Sequence, residues 1–452
     1  MKQLLLLACL CLPLAAHAKT SLVKELNLPN GLKVHEYRMD NGMQLLLVPD
    51  ASGPVFTYQM WFKVGSASEK LDPKLKKTGL AHLFEHMMFR GTPKVPDGIF
   101  DQKLSQAGAV GMNATTWFDR TNYFESLPKD KLELAFQLES DRMQNLKLNE
   151  KLFKTELGAV FGELKMRNDQ PSSVAFEELF ALAYDVHPYR NPVIGTPEEL
   201  NSFTVKDANY FYRTYYSPNN ATLILLGDFK IPQAIKLAEK YYGPMKSQVI
   251  PNHEFPTEPE QTKPKRKDIT HPLATSDVLM LGFKIPGIMN EDMPALEAVG
   301  ALLASGNGSW LEQELVQENI VSSVSASPMM YRHPSLFLVS IQMAPGKAYE
   351  DALKVVNKAL ERIREGKVPA EDLERAKNVY RLSEYSQLLD QSTVGKNLGE
   401  GLVRGDDYRR NFEILEKVKD VTVADMQRVA KAYLTEARSS LLRLSPAPKG
   451  QK

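Results

Sequence analysis

Two histidines and a carboxylate lie within five residues of this sequence. His82 and His86 are four residues apart, and Glu85 lies between them. On an α-helix this spacing puts both imidazoles on one face, about one turn apart, so that both can bind the same metal ion. Two neutral histidines leave a zinc ion short of its usual tetrahedral set of ligands. The spacing therefore predicts a zinc site of the catalytic type, which needs a third protein ligand and keeps one position open.

A second helical segment offers two carboxylates as the third ligand. Glu156 and Glu163 are seven residues apart in the segment 152–166. They fall two turns apart on one face of a helix that also carries apolar side chains. Spacing alone leaves two interpretations open: one of these carboxylates binds the metal, or both are ordinary solvated glutamates.

Residues 1–18 have the basic start, the apolar stretch and the small residues typical of a secretory signal peptide, which we expect to be cleaved after Ala18. The alternative of a lipoprotein attached at Cys9 leaves an unusually short apolar region. Cys9 and Cys11 are the two cysteines of the chain, so the mature protein would have no thiol or disulfide chemistry. No later apolar run approaches the length of a membrane span. We therefore expect an exported, periplasmic protein without an integral membrane segment.

The charge of the chain is balanced. It has 56 Lys and Arg residues against 55 Asp and Glu residues, and the predicted leader contains Lys2 and no acid. The mature chain is therefore formally neutral, which argues against nucleic acid or an anionic membrane as its main partner.

The second half of the sequence repeats the first. The segment 204–215 aligns with 422–433 at an offset of 218, and 62–64 resembles 283–285. We therefore predict two homologous halves, at 30–248 and 268–446. A proline-rich and charged linker at 249–267 would join them.

Within the first half, β-forming residues at 43–48 and 55–64 precede helical patterns at 80–89, 132–143 and 152–166. This order predicts an α+β fold, in which each half is a mostly antiparallel sheet with helices packed on one face. The second half lacks the H-x-x-E-H pattern, and the offset puts Arg381 opposite Glu163. One zinc ion per chain follows.

The sequence resembles the pitrilysin/insulinase family of zinc peptidases over nearly the whole mature chain. The segment 78–92 is similar to the active-site helix of that family, where H-x-x-E-H is the inverted zinc-protease motif. The segments 113–123 and 156–163 resemble the strand and the distal glutamate motif that follow. The resemblance implies that His82, His86 and Glu163 bind Zn²⁺. It also implies that Glu85 is the general base and that Glu156 is a supporting carboxylate.

The resemblance further implies how a peptide or small unfolded protein would bind. Asn113 and Ala114 would lie on an edge strand that pairs with the extended substrate backbone. In the family, the metal-free half supplies an arginine and a tyrosine to the site. Arg332 is the candidate arginine, but the following strand lacks the tyrosine, and Tyr331 would point to the opposite face of a strand.

Long members of the family enclose a chamber with four such halves, whereas this chain has two. We therefore expect a homodimer, or a heterodimer with a paralogous metal-free chain. The sequence as a whole predicts an exported zinc-dependent endopeptidase. The alternative is a non-catalytic subunit or peptide-binding scaffold of a two-chain peptidase complex, for which a broken motif would be expected.

Overall fold

A computed structural model describes residues 18–448 as two α/β halves joined by an extended segment. The predicted leader lies outside the described residues, except for Ala18. Between residues 18 and 448, no helix has both the length and the apolar character needed to cross a lipid bilayer.

The first half contains a seven-stranded sheet with the order β1-β2-β3-β7-β4-β6-β5. Its strands are β1 (Thr20–Asn27), β2 (Lys33–Met39), β3 (Gln44–Pro49), β4 (Val55–Phe62), β5 (Val110–Thr116), β6 (Thr121–Pro128) and β7 (Ala221–Gly227). The second half contains a five-stranded sheet with the order β10-β11-β9-β12-β8. Its strands are β8 (Lys265–His271), β9 (Val278–Ile285), β10 (Val321–Pro328), β11 (Ser335–Met343) and β12 (Ser439–Pro446).

The two sheets share one topology. The order β3-β7-β4-β6-β5 in the first sheet corresponds to β8-β12-β9-β11-β10 in the second. In each sheet the first of these pairs is parallel, and the others are antiparallel. This arrangement confirms the predicted fold class of two similar, mostly antiparallel α/β halves. The second sheet begins at Lys265, inside the predicted linker 249–267.

Fifteen α-helices surround the sheets in the described part of the chain. Those of the first half are α1 (Ser66–Leu71), α2 (Leu80–Met87), α3 (Ile99–Gln106), α4 (Leu132–Asn145), α5 (Glu150–Asn168), α6 (Pro171–Ala183), α7 (Pro197–Ser202), α8 (Val205–Tyr215) and α9 (Ile231–Tyr241). Those of the second half are α10 (Met293–Ala304), α11 (Tyr349–Arg364), α12 (Ala370–Gln387), α13 (Gln391–Gly405), α14 (Arg410–Val418) and α15 (Val423–Tyr433). The helices predicted at 80–89, 132–143 and 152–166 correspond to α2, α4 and α5.

Local sequence explains why the repeat is visible. Both α8 and α15 begin with a capping box, in which Thr204 bonds reciprocally with Asp207 and Thr422 with Asp425. These caps satisfy backbone N–H groups that a helix terminus otherwise leaves free. In each half the capped helix leads into the strand that pairs in parallel.

Each half contributes one helix that packs on the sheet of the other half. Most helices of a half cover one face of its own sheet, as expected. The other face of the first sheet is covered by α13 of the second half, where Val394 and Leu398 pack with Trp61 and Ile224. Conversely, α6 of the first half covers β9 and β12 of the second sheet. The alternating side chains of the central strands are therefore buried on both faces.

Two glycines allow α13 to lie directly on the first sheet. A Cβ atom at Gly399 would lie 2.1 Å from the ring of Trp61, and one at Gly395 would lie 2.6 Å from Nε2 of Gln59. A larger residue at either position would force the helix away from the sheet.

Candidate metal centre

The position of α2 is fixed at its first turn. Gly79 has φ of 104°, and a Cβ atom there would lie 2.6 Å from the carbonyl oxygen of Ile194. No side chain caps the helix locally. Instead, the buried carboxyl group of Glu69 on α1 accepts hydrogen bonds from the N–H groups of Gly79 (2.8 Å) and Ala81 (2.9 Å). This remote cap holds the start of α2 and thus the direction in which its histidines project.

The packing of α2 against α5 brings three metal-ligating side chains together. Atoms of His82, His86 and Glu163 that can bind a metal all lie within 4.8 Å of one another. One carboxylate oxygen of Glu163 is 3.5 Å from Nε2 of His82 and 3.4 Å from Nε2 of His86. Residues 18–448 contain no other such cluster of three.

The donor set fits zinc. It combines two imidazole nitrogens with one carboxylate oxygen, which is a known set for catalytic zinc with an open position. The nitrogens and the shared carboxylate oxygen of Glu163 are too far apart for good hydrogen bonds but converge on one region. His82, His86 and Glu163 could therefore hold the ion.

The charges of the cluster also suit a cation. Burial lowers the pKa of His82 to about 4 and keeps this side chain neutral, as metal binding requires. Burial acts in the same direction on His86, but the neighbouring carboxylates of Glu156 and Glu163 outweigh it and raise the pKa to about 9. The neighbouring imidazole of His86 is the largest cause that lowers the pKa of Glu163, to about 2. Metal binding would displace the proton that His86 carries near neutral pH.

Glu85 lies on the same helix, one residue before His86. Burial raises its pKa, which a hydrogen bond with Thr116 opposes, and its Oε2 atom is buried without a hydrogen-bond partner. Glu85 lines a cleft of about 690 Å³ together with the three ligand candidates. A carboxylate in this environment is suited to exchange protons with a reactant in the cleft.

Glu156 lies behind one of the histidines. One of its oxygens is 3.7 Å from Nδ1 of His86, and the other accepts a hydrogen bond from Nε of Arg90 at 2.6 Å. Arg90 in turn contacts Asp97 at 3.2 Å. Glu156 is therefore held in place by Arg90 and borders the imidazole on the side away from Glu163. Carboxylates in this position orient metal-binding histidines and strengthen them as ligands.

The edge strand β5 forms one wall of the cleft. It pairs only with β6, and both Asn113 and Ala114 line the cleft. The side chain of Asn113 accepts a hydrogen bond from the N–H group of Ala114 at 2.8 Å. The pairing with β6 is irregular between Val110 and Asn113. The free edge of β5 can accept an added strand.

Arg332 is not in the cleft, which corrects the prediction that it completes the site. It lies in the turn between β10 and β11 rather than in a strand. Its guanidinium group contacts Asp406 at 2.5 Å and donates to the carbonyl oxygen of Val403 at 3.1 Å. These partners are more than 70 residues away, so no local pattern indicated them. Among residues 18–448, those that line the cleft all belong to the first half.

Three arginines of the cleft were not predicted. Arg90 supports Glu156 as described, and Nε of Arg167 donates to Glu163 at 2.9 Å. Arg120 lies in the turn between β5 and β6 and pairs with Glu400 of the second half. The pair of Glu163 and Arg167 has a sequence signal, because the residues are four apart on one helix. The pair of Arg120 and Glu400 spans 280 residues and has none.

The fold and the site together define a class of protein, which comparisons with known proteins identify. The family model described as Insulinase (Peptidase family M16) matches residues 45–197. The model described as Peptidase M16 inactive domain matches residues 202–380. A zinc protease of Helicobacter pylori, PqqE, is 30% identical over 423 residues, which cover 90% of this chain and 92% of that protein. The chain belongs to the insulinase family, peptidase family M16, and the resemblance seen in the sequence is confirmed.

Another relative and two solved structures also match this chain over most of its length. The beta subunit of the mitochondrial-processing peptidase of Dictyostelium discoideum is 22% identical over 431 residues, which cover 90% of this chain and 88% of that protein. The crystal structure of a protease from Helicobacter pylori matches with a TM-score of 0.85 and 28% identity, covering 95% of this chain and all of that one. A peptidase M16 inactive domain from Pseudomonas fluorescens shares the fold at 19% identity, with a TM-score of 0.81 over 92% of this chain and 98% of that one.

Proposed function

We propose that this protein is a zinc-dependent endopeptidase that hydrolyses peptides or small unfolded proteins. The observation that carries the proposal is the convergence of His82, His86 and Glu163 within 4.8 Å, in a cleft that Glu85 also lines. The zinc protease of Helicobacter pylori named above supports it. The alternative of a non-catalytic subunit would be expected to have lost part of this set, and all four residues are present.

Each of these residues would have a separate role in hydrolysis. Zinc, when bound by His82, His86 and Glu163, supplies Lewis acidity that polarises a carbonyl group and acidifies water. Glu85 accepts a proton from the attacking water and passes it to the leaving amine. Its pKa, which burial raises, makes this carboxylate a stronger base than an exposed one. Glu156 keeps the imidazole of His86 in orientation.

The substrate would bind as an extended strand along β5. The exposed backbone edge of this strand supplies hydrogen bonds that do not depend on side-chain identity. Asn113 and Ala114 would border the bound backbone, since both line the cleft with Glu85. An extended segment is accessible in peptides and unfolded proteins, whereas a folded protein would have to open first.

We also infer export and association. The signal-like features of residues 1–18 support a periplasmic location. A second chain, identical or a metal-free paralogue, would complete the site, because the cleft is lined by the first half alone within the described residues. The relative named as a beta subunit supports an association of this kind.

The test is metal content together with peptide hydrolysis by the purified mature chain. We expect about one zinc ion per chain, loss of hydrolysis on removal of the metal by a chelator, and recovery when zinc is restored. A chain that binds zinc but hydrolyses no member of a diverse peptide library, alone or with its co-purifying partner, would overturn the proposal.

A further inference from the structure

The turn that follows the edge strand β5 is in contact with the second half of the chain. This cleft turn, residues 117–120, connects β5 to β6. Trp117 and Arg120 line the cleft directly. The second half contributes no lining residue between positions 18 and 448. It packs Tyr331 against Phe118 of the cleft turn and makes two polar contacts with this turn.

The first contact is a buried ion pair. The guanidinium group of Arg120 donates to the carbonyl oxygen of Thr115 on β5 and to Oδ1 of Asn122 on β6, both at 2.9 Å. Its other terminal nitrogen donates to Glu400 of α13 at 3.1 Å. Arg120 is 7% exposed and Glu400 is 5% exposed. One side chain therefore joins both strands of the hairpin to a helix of the other half, where water screens little of the attraction.

The second contact runs through the neighbouring acid. Asp119 accepts a hydrogen bond from the hydroxyl group of Tyr189 at 2.7 Å and from the backbone N–H group of Arg332 at 3.3 Å. Burial raises the pKa of Asp119. Arg332 thus contacts the cleft turn through its backbone, although its side chain points to other partners.

The helix that carries Glu400 has little freedom to move. Its neighbour in the chain, Gly399, lies against Trp61 so closely that a Cβ atom would overlap the ring. Glu400 also pairs with Nε of Arg404, one turn further along α13, at 2.7 Å. The carboxylate is therefore anchored by its own helix before it contacts the cleft turn.

We propose that Arg120 and Glu400 are positioning residues, through which the metal-free half sets the position of the edge strand β5 for an extended substrate. This role rests on the proposed function, because it concerns the strand along which the substrate would bind. A shift of about 1 Å in a positioning element can cost a large factor in rate. The second half would therefore influence hydrolysis without reaching the cleft.

The test compares Glu400→Gln with a matched control, Glu258→Gln. Glu258 is also a buried carboxylate, pairs with Lys284 of the second half at 2.5 Å, and accepts hydrogen bonds from backbone N–H groups at 185–187 of the first half. It does not line the cleft. Both zinc-loaded variants are assayed with a peptide of about ten residues, which can pair along β5, and with one of about four residues, which forms at most a minimal strand.

We expect Glu400→Gln to lower kcat/KM for the long peptide about tenfold more than for the short one, with zinc content unchanged. Glu258→Gln should lower the Tm but keep the ratio of the two kcat/KM values. The double variant Arg120→Gln with Glu400→Gln removes both charges of the buried pair and leaves only the partly exposed Arg404 without its contact to Glu400. It should therefore recover part of the lost Tm without recovering the long-peptide rate. An unchanged ratio in both the single and the double variant overturns the proposal.

Peptide affinity separates this inference from the proposed function. The affinity of each peptide, read from tryptophan fluorescence in the Glu85→Gln background, does not require hydrolysis. A parent chain that hydrolyses no member of the diverse peptide library, alone or with its co-purifying partner, overturns the proposed function alone. An affinity for the long peptide that Glu400→Gln and Glu258→Gln alter equally overturns the positioning role.

Discussion

One carboxylate oxygen of Glu156 lies 3.7 Å from Nδ1 of His86, while Nε2 of the same imidazole lies 3.4 Å from Glu163. The two glutamates are seven residues apart on α5 and border opposite nitrogens of one ring. A histidine bound through one nitrogen is oriented by whatever its other nitrogen contacts. The structure therefore gives two glutamates of one helix different roles.

Glu163→Gln and Glu156→Gln should consequently lose metal to different extents. Glu163→Gln removes a charged ligand and should leave little zinc after dialysis against a mild chelator. Glu156→Gln should weaken zinc affinity only by about 10- to 100-fold, the usual effect of losing an orienting carboxylate. Zinc per chain, measured after stepwise chelation, checks this. Equal loss from both variants would contradict the division of roles.

Glu85→Gln should separate metal binding from catalysis. The change preserves the size of the side chain and leaves the three ligands intact, so zinc content should stay near one per chain. Hydrolysis should fall by about 10²- to 10⁴-fold, the usual contribution of a general base. The control is Glu150→Gln, at the exposed start of α5. Activity retained in Glu85→Gln would remove this residue from the mechanism.

Glu258 should make the fold sensitive to acid. Burial opposes its ionised form, but hydrogen bonds from Lys284 and from the N–H groups at 185–187 outweigh burial and lower its pKa from 4.5 to about 2. A lowered pKa stabilises the fold fully above about pH 4.5, and this stability is lost as the pH falls towards 2. Burial also lowers the pKa of Lys284, which reduces the net gain from the pair.

Glu258→Gln should therefore cost up to about 3 kcal/mol at neutral pH and progressively less below pH 4.5. Urea denaturation between pH 7 and pH 2.5 measures the difference. Glu254→Gln, an exposed change in the same segment, is the control and should have little effect. A cost that does not depend on pH would show that the carboxylate acts through shape rather than charge.

Glu297 should make the fold less stable as the pH rises, whereas Glu258 makes it less stable as the pH falls. It lies in the apolar helix α10, and burial, with a contribution from Glu384 on α12, raises its pKa to about 8. The unfolded carboxyl group ionises above about pH 4.5 but the folded one only above 8, so the fold loses stability as the pH rises between these values. Glu297→Gln cannot ionise and should be more stable at pH 8 by about 2 to 4 kcal/mol.

The same substitution should have little effect near pH 4, where both states carry a proton. Thermal denaturation at pH 4 and at pH 8 checks this, with the exposed neighbour Glu291→Gln as the control. A parent chain that stays as stable as the variant at pH 8 would mean that Glu297 remains ionised in the fold.

Activity should rise with protein concentration. The described residues place a single half around the cleft, and we propose that a second chain completes it. Specific activity measured across a dilution series, together with mass in solution, tests this at equilibrium. A fully active monomer, independent of concentration, would mean that residues of this one chain suffice.

Local sequence predicted the elements that build the site. The spacing of His82 and His86 and the apolar periodicity of 152–166 correspond to α2 and α5, because helix formation depends on near neighbours. Local sequence did not identify the third metal ligand. Glu156 and Glu163 share one helix face, and only the resemblance to a family distinguished them before their distances from His86 were known.

Contacts between residues far apart in the sequence had no local pattern that could predict them. The resemblance makes Arg332 the candidate arginine of the site, but its side chain pairs with Asp406, 74 residues away. The cap of α2 by Glu69 replaces the local cap that a sequence pattern would look for. The pair of Arg120 and Glu400 depends on how the two halves pack. Each of these contacts is decided by tertiary structure, on which the sequence of a short segment carries no information.

The packing of α6 and α13 on the sheet of the opposite half also matters while the chain is being synthesised. All strands of the first sheet have left the ribosome by Gly227, but the helix that covers their far face begins only at Gln391. Until then Leu46, Val48 and Ile224 face water. Exposed apolar sheet surface of this kind promotes aggregation. We therefore expect the first half of a newborn chain to need protection from aggregation until α13 has been synthesised.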